Sequence, residues 1–152
     1  MNIMLLKTAV ALAGALIMSA GPALARDHGV CTNYSLRGSF GYVSWGTLLA
    51  SYAGPDAGPF GEIGRQTFDG SGHTAAVVTF SANGDVGQNI SFNGTYKVNL
   101  DCTGSWTLSN PVFGPVHADF VIDHNGMEIR AISTDAGVIE TRVYRKQFED
   151  DQ

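Results

Sequence analysis

SFNGTYKVNLDCTGSWTLS, residues 91–109, predicts a β-hairpin with a cysteine at its corner. Apolar and polar residues alternate on both arms, and the apolar positions are Phe92, Tyr96, Val98, Trp106 and Leu108. A period of two is typical of a strand with one buried face. Residues 99–104, between the arms, are rich in turn formers. We therefore expect this hairpin to be the anchored middle of a small β-protein.

The first 25 residues have the pattern of a cleaved signal peptide. A single charge at Lys7 precedes an apolar run, residues 8–20, and Ala23-Leu24-Ala25 fits the small-x-small cleavage rule. The run is shorter than the roughly 20 residues that span a membrane. We expect no membrane insertion after cleavage and an exported chain from Arg26, either periplasmic or secreted.

The chain holds only two cysteines, Cys31 and Cys102. An even count in an exported protein favours one disulfide, with two free thiols as the alternative. A redox pair is not favoured, because there is no C-x-x-C spacing. Closing a loop of this length would stabilise the fold by roughly 4 kcal/mol in the entropic description.

The charge balance is acidic, with 9 Lys and Arg against 14 Asp and Glu. This argues against nucleic acid or an anionic membrane surface as partner. The nearest approach to a basic cluster is Arg142, Arg145 and Lys146, and the acidic residues 149–151 follow it directly.

Eight short segments carry strand signals separated by turn residues: 39–49, 59–68, 74–81, 88–98, 104–108, 117–122, 127–133 and 138–144. This order predicts a single eight-stranded antiparallel up-and-down β-barrel, with a two-sheet sandwich as the alternative. The barrel would occupy residues 37–146, between an N-terminal tether, 26–36, and an acidic tail, 147–152. Asn-Gly at 83 and 125 predicts hairpin turns, whereas Asn93-Gly94 falls inside a strand and predicts a bulge.

Four segments carry a resemblance to a known group: GSFGY at 38–42, GRQTFDGSG at 64–72, FNGTYKVNLDCTGSW at 92–106 and MEIRAISTDAGVIETRVYRKQ at 127–147. They resemble a family of small exported bacterial β-barrel proteins of uncharacterised function. In architecture the group is more distantly similar to allene oxide cyclase-like barrels. The resemblance implies a barrel with an apolar lumen, but it brings no catalytic residue, since fold does not imply activity.

Strand alternation also predicts which side chains face inward. The inward set is Phe40, Tyr42, Ala76, Val78, Phe80, Ile90, Phe92, Tyr96, Val98, Trp106, Leu108, Ala118, Phe120, Ile122, Met127, Ile129, Ala131, Ile139, Thr141 and Val143. In the last strand this interpretation places Glu140 and Arg142 outside.

The second strand breaks the pattern. Phe60, Glu62, Gln66 and Phe68 share one face, and Ile63 and Arg65 share the other. Either orientation brings a polar or charged group into the lumen. This polar group would lie at a solvent-exposed rim of the barrel or in a buried ion pair. Alternatively, it would form the polar end of a ligand pocket.

Seven residues are candidates for ligand binding: Tyr42, Trp45, Glu62, Arg65, Gln66, Tyr96 and Trp106. The aromatic ones fit a plain core equally well. Residues 51–58, rich in Gly and Pro, are the best candidate for a lid. Neither ligand-spaced histidines nor a G-x-S-x-G elbow is present, so the sequence predicts no metal, cofactor or catalytic residue.

Three functions remain open at this point. The first is a binding module for a small apolar ligand held in the lumen. The second is a structural or surface-interaction protein with an apolar patch outside the barrel. The third is a cyclase or isomerase, which would need a real cavity with a polar group inside. The ligand and the oligomeric state are left open.

Overall fold

The computed structural model describes residues 30–147 and confirms a closed, all-antiparallel, up-and-down barrel of eight strands. The strands are β1 Gly38–Leu48, β2 Gly58–Phe68, β3 His73–Ala82, β4 Asp85–Val98, β5 Thr103–Asn110, β6 Gly114–Asp123, β7 Glu128–Ser133 and β8 Val138–Lys146. Each strand pairs with the next, and β8 returns to pair with β1. The barrel therefore has no free sheet edge, and the sandwich alternative is wrong.

Two ends can be distinguished by the connections they carry. The open end holds the β1–β2 connection with helix α1, Ala50–Ala53, and a 3₁₀ turn, Gly54–Asp56. It also holds the β3–β4, β5–β6 and β7–β8 turns. The closed end holds the other turns and the 3₁₀ turn Asn33–Leu36. An up-and-down order puts alternate connections at opposite ends, so each end has its own surface.

The closed end is sealed by the segment that precedes β1. Leu36 is fully buried in the core, and Cys31 and Cys102 form the predicted disulfide. The Tyr96 hydroxyl donates to the Asn33 carbonyl at 2.9 Å and accepts from the backbone N–H of Gly70 at 2.9 Å. These contacts hold the segment before β1 across the closed end of the barrel.

Aromatic side chains fill the half of the lumen next to the closed end. Phe40 packs edge-on against Phe68 at 5.6 Å between ring centroids, and Trp106 stacks on Phe120 at 4.9 Å. An eight-stranded barrel has an interior just wide enough for side chains or one small ligand. In this barrel, side chains fill the half of the lumen next to the closed end.

The bulge lies in β4, but not at Asn93-Gly94. The β3–β4 register shifts opposite Val78 and Phe80, and Asn89 has the positive φ of 55° that such an extra residue needs. Gly94 instead stays in register and is required for close approach, since a Cβ there would lie 1.8 Å from the Thr107 carbonyl oxygen. The bulge at Asn89 reverses the alternation in the first part of β4. The predicted turn at Asn83-Gly84 is confirmed, with φ of 48° and 98°.

The predicted orientation of β8 is wrong. Glu140 and Arg142 are buried, at 4% and 7% exposure, whereas Ile139 is 60% exposed. The register places Tyr144 opposite Tyr42, and the two rings stack at 4.5 Å inside the barrel. Alternate residues of a strand share a face, so Glu140 and Arg142 point inward with the buried Tyr144. Ile139, Thr141 and Val143 therefore face outward, contrary to the prediction.

Elsewhere the predicted core is largely correct. Ile129 and Ala131 of β7 are buried, but Met127 lies before that strand and is exposed. The predicted signal peptide falls outside the described residues, as does most of the acidic tail. Within residues 30–147, no helix has the length and apolar character needed to cross a membrane.

Candidate functional site

A cavity of about 380 Å³ occupies the half of the lumen next to the open end. Its walls are mostly apolar, and all eight strands contribute to them, β7 by Ser133 alone. The apolar lining residues are Leu48, Ala53, Phe60, Val78, Phe80, Ala82, Phe92, Leu108, Phe113, Val116 and Val138. A volume of this order, with apolar walls and few polar groups, is typical of a small-molecule site.

Four phenylalanines form one side of the cavity and its rim. Phe80 packs against Phe60 at 6.3 Å and against Phe113 at 5.6 Å between ring centroids, and Phe113 also stacks on Phe92 at 6.3 Å. Phe113 belongs to the β5–β6 connection and is 45% exposed, so it is positioned to contact anything that enters. The predicted lid contributes Tyr52, Ala53 and Asp56 to the opposite rim.

The inner end of the cavity is polar. Arg142 donates from Nε and Nη2 to the two carboxylate oxygens of Glu140, each at 2.8 Å. The Tyr42 hydroxyl donates to Glu62 Oε1, and the Arg142 guanidinium lies 5.8 Å from the Tyr42 ring centroid. These four side chains bring two carboxylates and one guanidinium together.

The ionisation of this group follows from burial. Burial raises the pKa of Glu62, against the opposing effects of the Arg142 charge and the Tyr42 hydrogen bond. Burial also raises the pKa of Tyr42, and the neighbouring Glu62 charge raises it further. Tyr42 therefore stays protonated as the donor, and the raised pKa makes the Glu62 carboxylate easier to neutralise than a glutamate in water.

Two buried hydroxyls beside this group have no hydrogen-bond partner among the described residues. They are Ser44 Oγ and Tyr144 Oη. Ser44 is paired in the sheet with Glu62 on one side and with Arg142 on the other, and its side chain faces the lumen. A buried polar atom without a partner is unfavourable, but neither Ser44 nor Tyr144 is among the residues that line the cavity.

The rim carries three aspartates: Asp56, Asp85 and Asp135. The β4 bulge places Asp85 on the lumen side, and its neighbour Val86 is exposed outside. Asp135 accepts from His117, at 2.7 Å from the backbone N–H and 2.6 Å from Nδ1. Counting the inner end as well, five carboxylates and one guanidinium line the cavity.

Only two of the seven predicted site residues line this cavity. Tyr42 and Glu62 do, and Gln66, Tyr96 and Trp106 lie buried in the half that is filled by side chains. The phenylalanines of β2 face inward, which is the orientation that carries Glu62 and Gln66 into the barrel.

Trp45 and Arg65 lie on the outside of the barrel. Trp45 is 55% exposed, and its neighbours Val43 and Ile63 are exposed beside it on paired strands. Together, Val43, Trp45 and Ile63 form a small contiguous apolar patch, which we call the β1–β2 patch. Arg65 follows on the same face of β2, so neither residue can contact a ligand in the lumen.

Sequence reasoning missed Glu140 and Arg142, although a signal was present. Opposite charges two residues apart lie on one face of a strand, and here they share that face with Tyr144. Two opposite charges that hydrogen-bond to each other can be buried together, whereas a single charge cannot. Phe113 was missed because no strand pattern includes it.

A second, shallower depression of about 530 Å³ lies across β5, β6 and β7, and its lining includes the outward side chains Ser105, Asp119 and Arg130. It is open to solvent, so it lacks the enclosure of the lumen. Among residues 30–147, no group of three or more His, Cys, Asp or Glu side chains is arranged to hold a metal ion.

No family model, no curated protein and no solved structure matches this chain. The barrel and its cavity are therefore the basis for any functional conclusion.

Proposed function

We propose that this protein is a binding module that holds a small, largely apolar molecule in the barrel lumen. The observation that carries the proposal is the cavity of about 380 Å³, closed at its inner end by packed side chains and open at the other. Transfer of an apolar ligand into such walls removes its surface from water, which favours binding by about 25 cal/mol per Å² before the costs of association are counted.

The side-chain filling of the closed end supports this proposal. Barrel cores that serve only stability are packed throughout, because voids forfeit van der Waals contacts. Here the aromatic packing ends at Tyr42 and Tyr144. Between this pair and the open end, the phenylalanine rings line the cavity instead of filling it. Export and disulfide formation are part of the proposal, since an oxidising compartment favours the Cys31–Cys102 bond.

Two experiments test the proposal. The first is solvent extraction of the protein purified from its native host, followed by mass spectrometry, which should yield a small apolar compound in stoichiometric amount. The second uses a solvatochromic naphthalene dye. Ala82→Phe fills the cavity near its rim and should abolish dye binding, whereas Ala75→Phe, on the outer face of the same strand, should leave it unchanged. Equal dye binding by both variants would contradict a site in the lumen.

The cavity with Glu62 inside also favours a second candidate, a cyclase or isomerase of the allene oxide cyclase-like type. A carboxyl group of raised pKa beside the Tyr42 hydroxyl is suited to general acid–base chemistry. If the extracted compound is a substrate, the wild type should convert it to an isomer of equal mass and different retention time. Glu62→Gln should bind it without conversion, and failure of the wild type to convert it would exclude this function for that compound.

The β1–β2 patch favours a surface-interaction role instead, because exposed apolar side chains that adjoin one another are typical of contact surfaces. This alternative predicts that Trp45→Ser reduces self-association or surface adsorption in sedimentation and binding measurements. A monodisperse monomer at high concentration, with no effect of the substitution, would argue against it.

A further inference from the structure

The charged side chains that line the cavity do not balance one another. The Glu140–Arg142 pair is closed on itself by two hydrogen bonds of 2.8 Å, so it contributes no net charge. Glu62 is left with a neutral donor, Tyr42, and no cation of its own. An ionised Glu62 is therefore the uncompensated charge at the inner end of an apolar cavity.

The Glu62 carboxylate, which lines the cavity, has a free acceptor. Glu62 accepts one hydrogen bond, at Oε1, so its second oxygen has no partner among the described residues. The unpartnered Ser44 hydroxyl lies opposite Glu62 in the register of the adjacent strand and adds a second buried polar group to this region, although Ser44 does not itself line the cavity. A positively charged group with several donors can satisfy the free Glu62 oxygen, and an ammonium group has three donors.

The alternatives leave the charges worse balanced. A carboxylate ligand would meet Glu62 and Glu140 with only Arg142 to neutralise all three. A neutral ligand would leave the Glu62 charge uncompensated or require its protonation. A cation brings the inner end to zero net charge, and the aspartates at the rim, Asp56 and Asp85, create a negative potential that favours its entry.

We infer that the ligand is an amphiphile with an apolar body and a single protonated amine, and that the amine pairs with Glu62 at the inner end of the cavity. This inference rests on the proposed binding of a small apolar molecule in the lumen. The body would fill the space between Phe60, Phe80, Phe92 and Phe113, and the amine would reach the inner end.

The test compares three eight-carbon probes by isothermal titration calorimetry at near-neutral pH: octylammonium, 1-octanol and octanoate. Octylammonium should bind at least about tenfold more tightly than 1-octanol, and octanoate should bind most weakly. In Glu62→Gln the affinity for octylammonium should fall to that for 1-octanol, while 1-octanol binding is unchanged. Asp119→Asn removes the same charge from the outer face of β6 and should leave the preference intact.

The outcomes separate the inference from the function on which it rests. If 1-octanol or octanoate binds as tightly as octylammonium, or if Glu62→Gln keeps the preference, the lumen binds ligands but the assignment of the amine is overturned. If none of the three probes binds the wild type, the proposed binding function is overturned as well. The wild-type series decides the head group even if the Glu62 variant fails to fold.

Discussion

Replacement of Arg142 by methionine tests whether the charges in the barrel are stable only as a set. The side chains of Arg142 and Glu140 are 8% and 4% exposed, and two hydrogen bonds of 2.8 Å join them. Methionine keeps most of the length and apolar contact of the arginine stem but has no charge. The variant therefore leaves Glu140 without its cation, in a cavity that already holds the Glu62 carboxyl group.

The expected cost follows from the burial. Removal of one partner from a buried ion pair costs about 3–5 kcal/mol, because the remaining charge is desolvated without compensation. At an effective dielectric constant of about 20, the attraction of two charges about 4 Å apart is about 4 kcal/mol, which is of the same size. A domain with a total stability of roughly 5–15 kcal/mol would be left close to unfolding.

Urea titration followed by circular dichroism, with the disulfide intact, measures this free energy of unfolding. Arg130→Met is the matched control, because Arg130 pairs with Asp123 on the barrel surface, where the two side chains are 60% and 28% exposed. An ion pair exposed to solvent contributes little to stability, so the control should be nearly neutral.

A double variant decides between a lost ion pair and lost packing. Glu140→Met with Arg142→Met removes both charges of the pair, and it should recover at least about 2 kcal/mol relative to Arg142→Met alone. If the double variant is as unstable as the single one, or if Arg142→Met costs no more than Arg130→Met, the charges do not act as a set and the reasoning is refuted.

Three further predictions concern the frame of the barrel and the ionisation of its inner end. Cys102→Ser opens a closed loop with a sequence separation of 71 and should lower the free energy of unfolding by about 4 kcal/mol, without changing the order of probe affinities; a changed order would contradict a purely structural role. Gly94→Ala should cost several kcal/mol because its Cβ meets the Thr107 carbonyl at 1.8 Å, whereas Gly61→Ala, whose nearest contact is 3.9 Å away, should be mild; urea titration of both variants compares them, and equal losses would refute the close-approach argument. Since burial raises the pKa of Glu62 in the folded state, the wild type gains stability as the pH falls through that pKa, and the stability of Glu62→Gln relative to wild type should be greater at about pH 7 than at about pH 4; a difference independent of pH would contradict the raised pKa.

The eight strands were predictable from the sequence because their cause is local. Period-two alternation, Asn-Gly turns and Gly/Pro connections each act over a few residues, and together they require antiparallel neighbours. The disulfide was predictable because a chain with two cysteines has a single possible pairing. For β2, the pattern limited the lumen to two possible sets of polar residues, one of which holds Glu62.

Apart from Tyr42 and Glu62, which the sequence predicted, tertiary structure decided which residues form the site. The face of β8 depends on the stacking of Tyr144 on Tyr42, a contact across the closure between the last strand and the first. The orientation of Asp85 depends on where β4 absorbs its extra residue, which the sequence predicted at Asn93-Gly94 and the structure has at Asn89.

The physical reason is that burial of charge is a collective property. Considered singly, Glu140 and Arg142 are each predicted to lie on the surface, because burial of a lone charge is too unfavourable. They become acceptable inside only as a pair, and a pair exists only when the strand register fixes both side chains on the same inward face. Local alternation thus determined a barrel, and the closure of that barrel determined the polar inner end of its cavity.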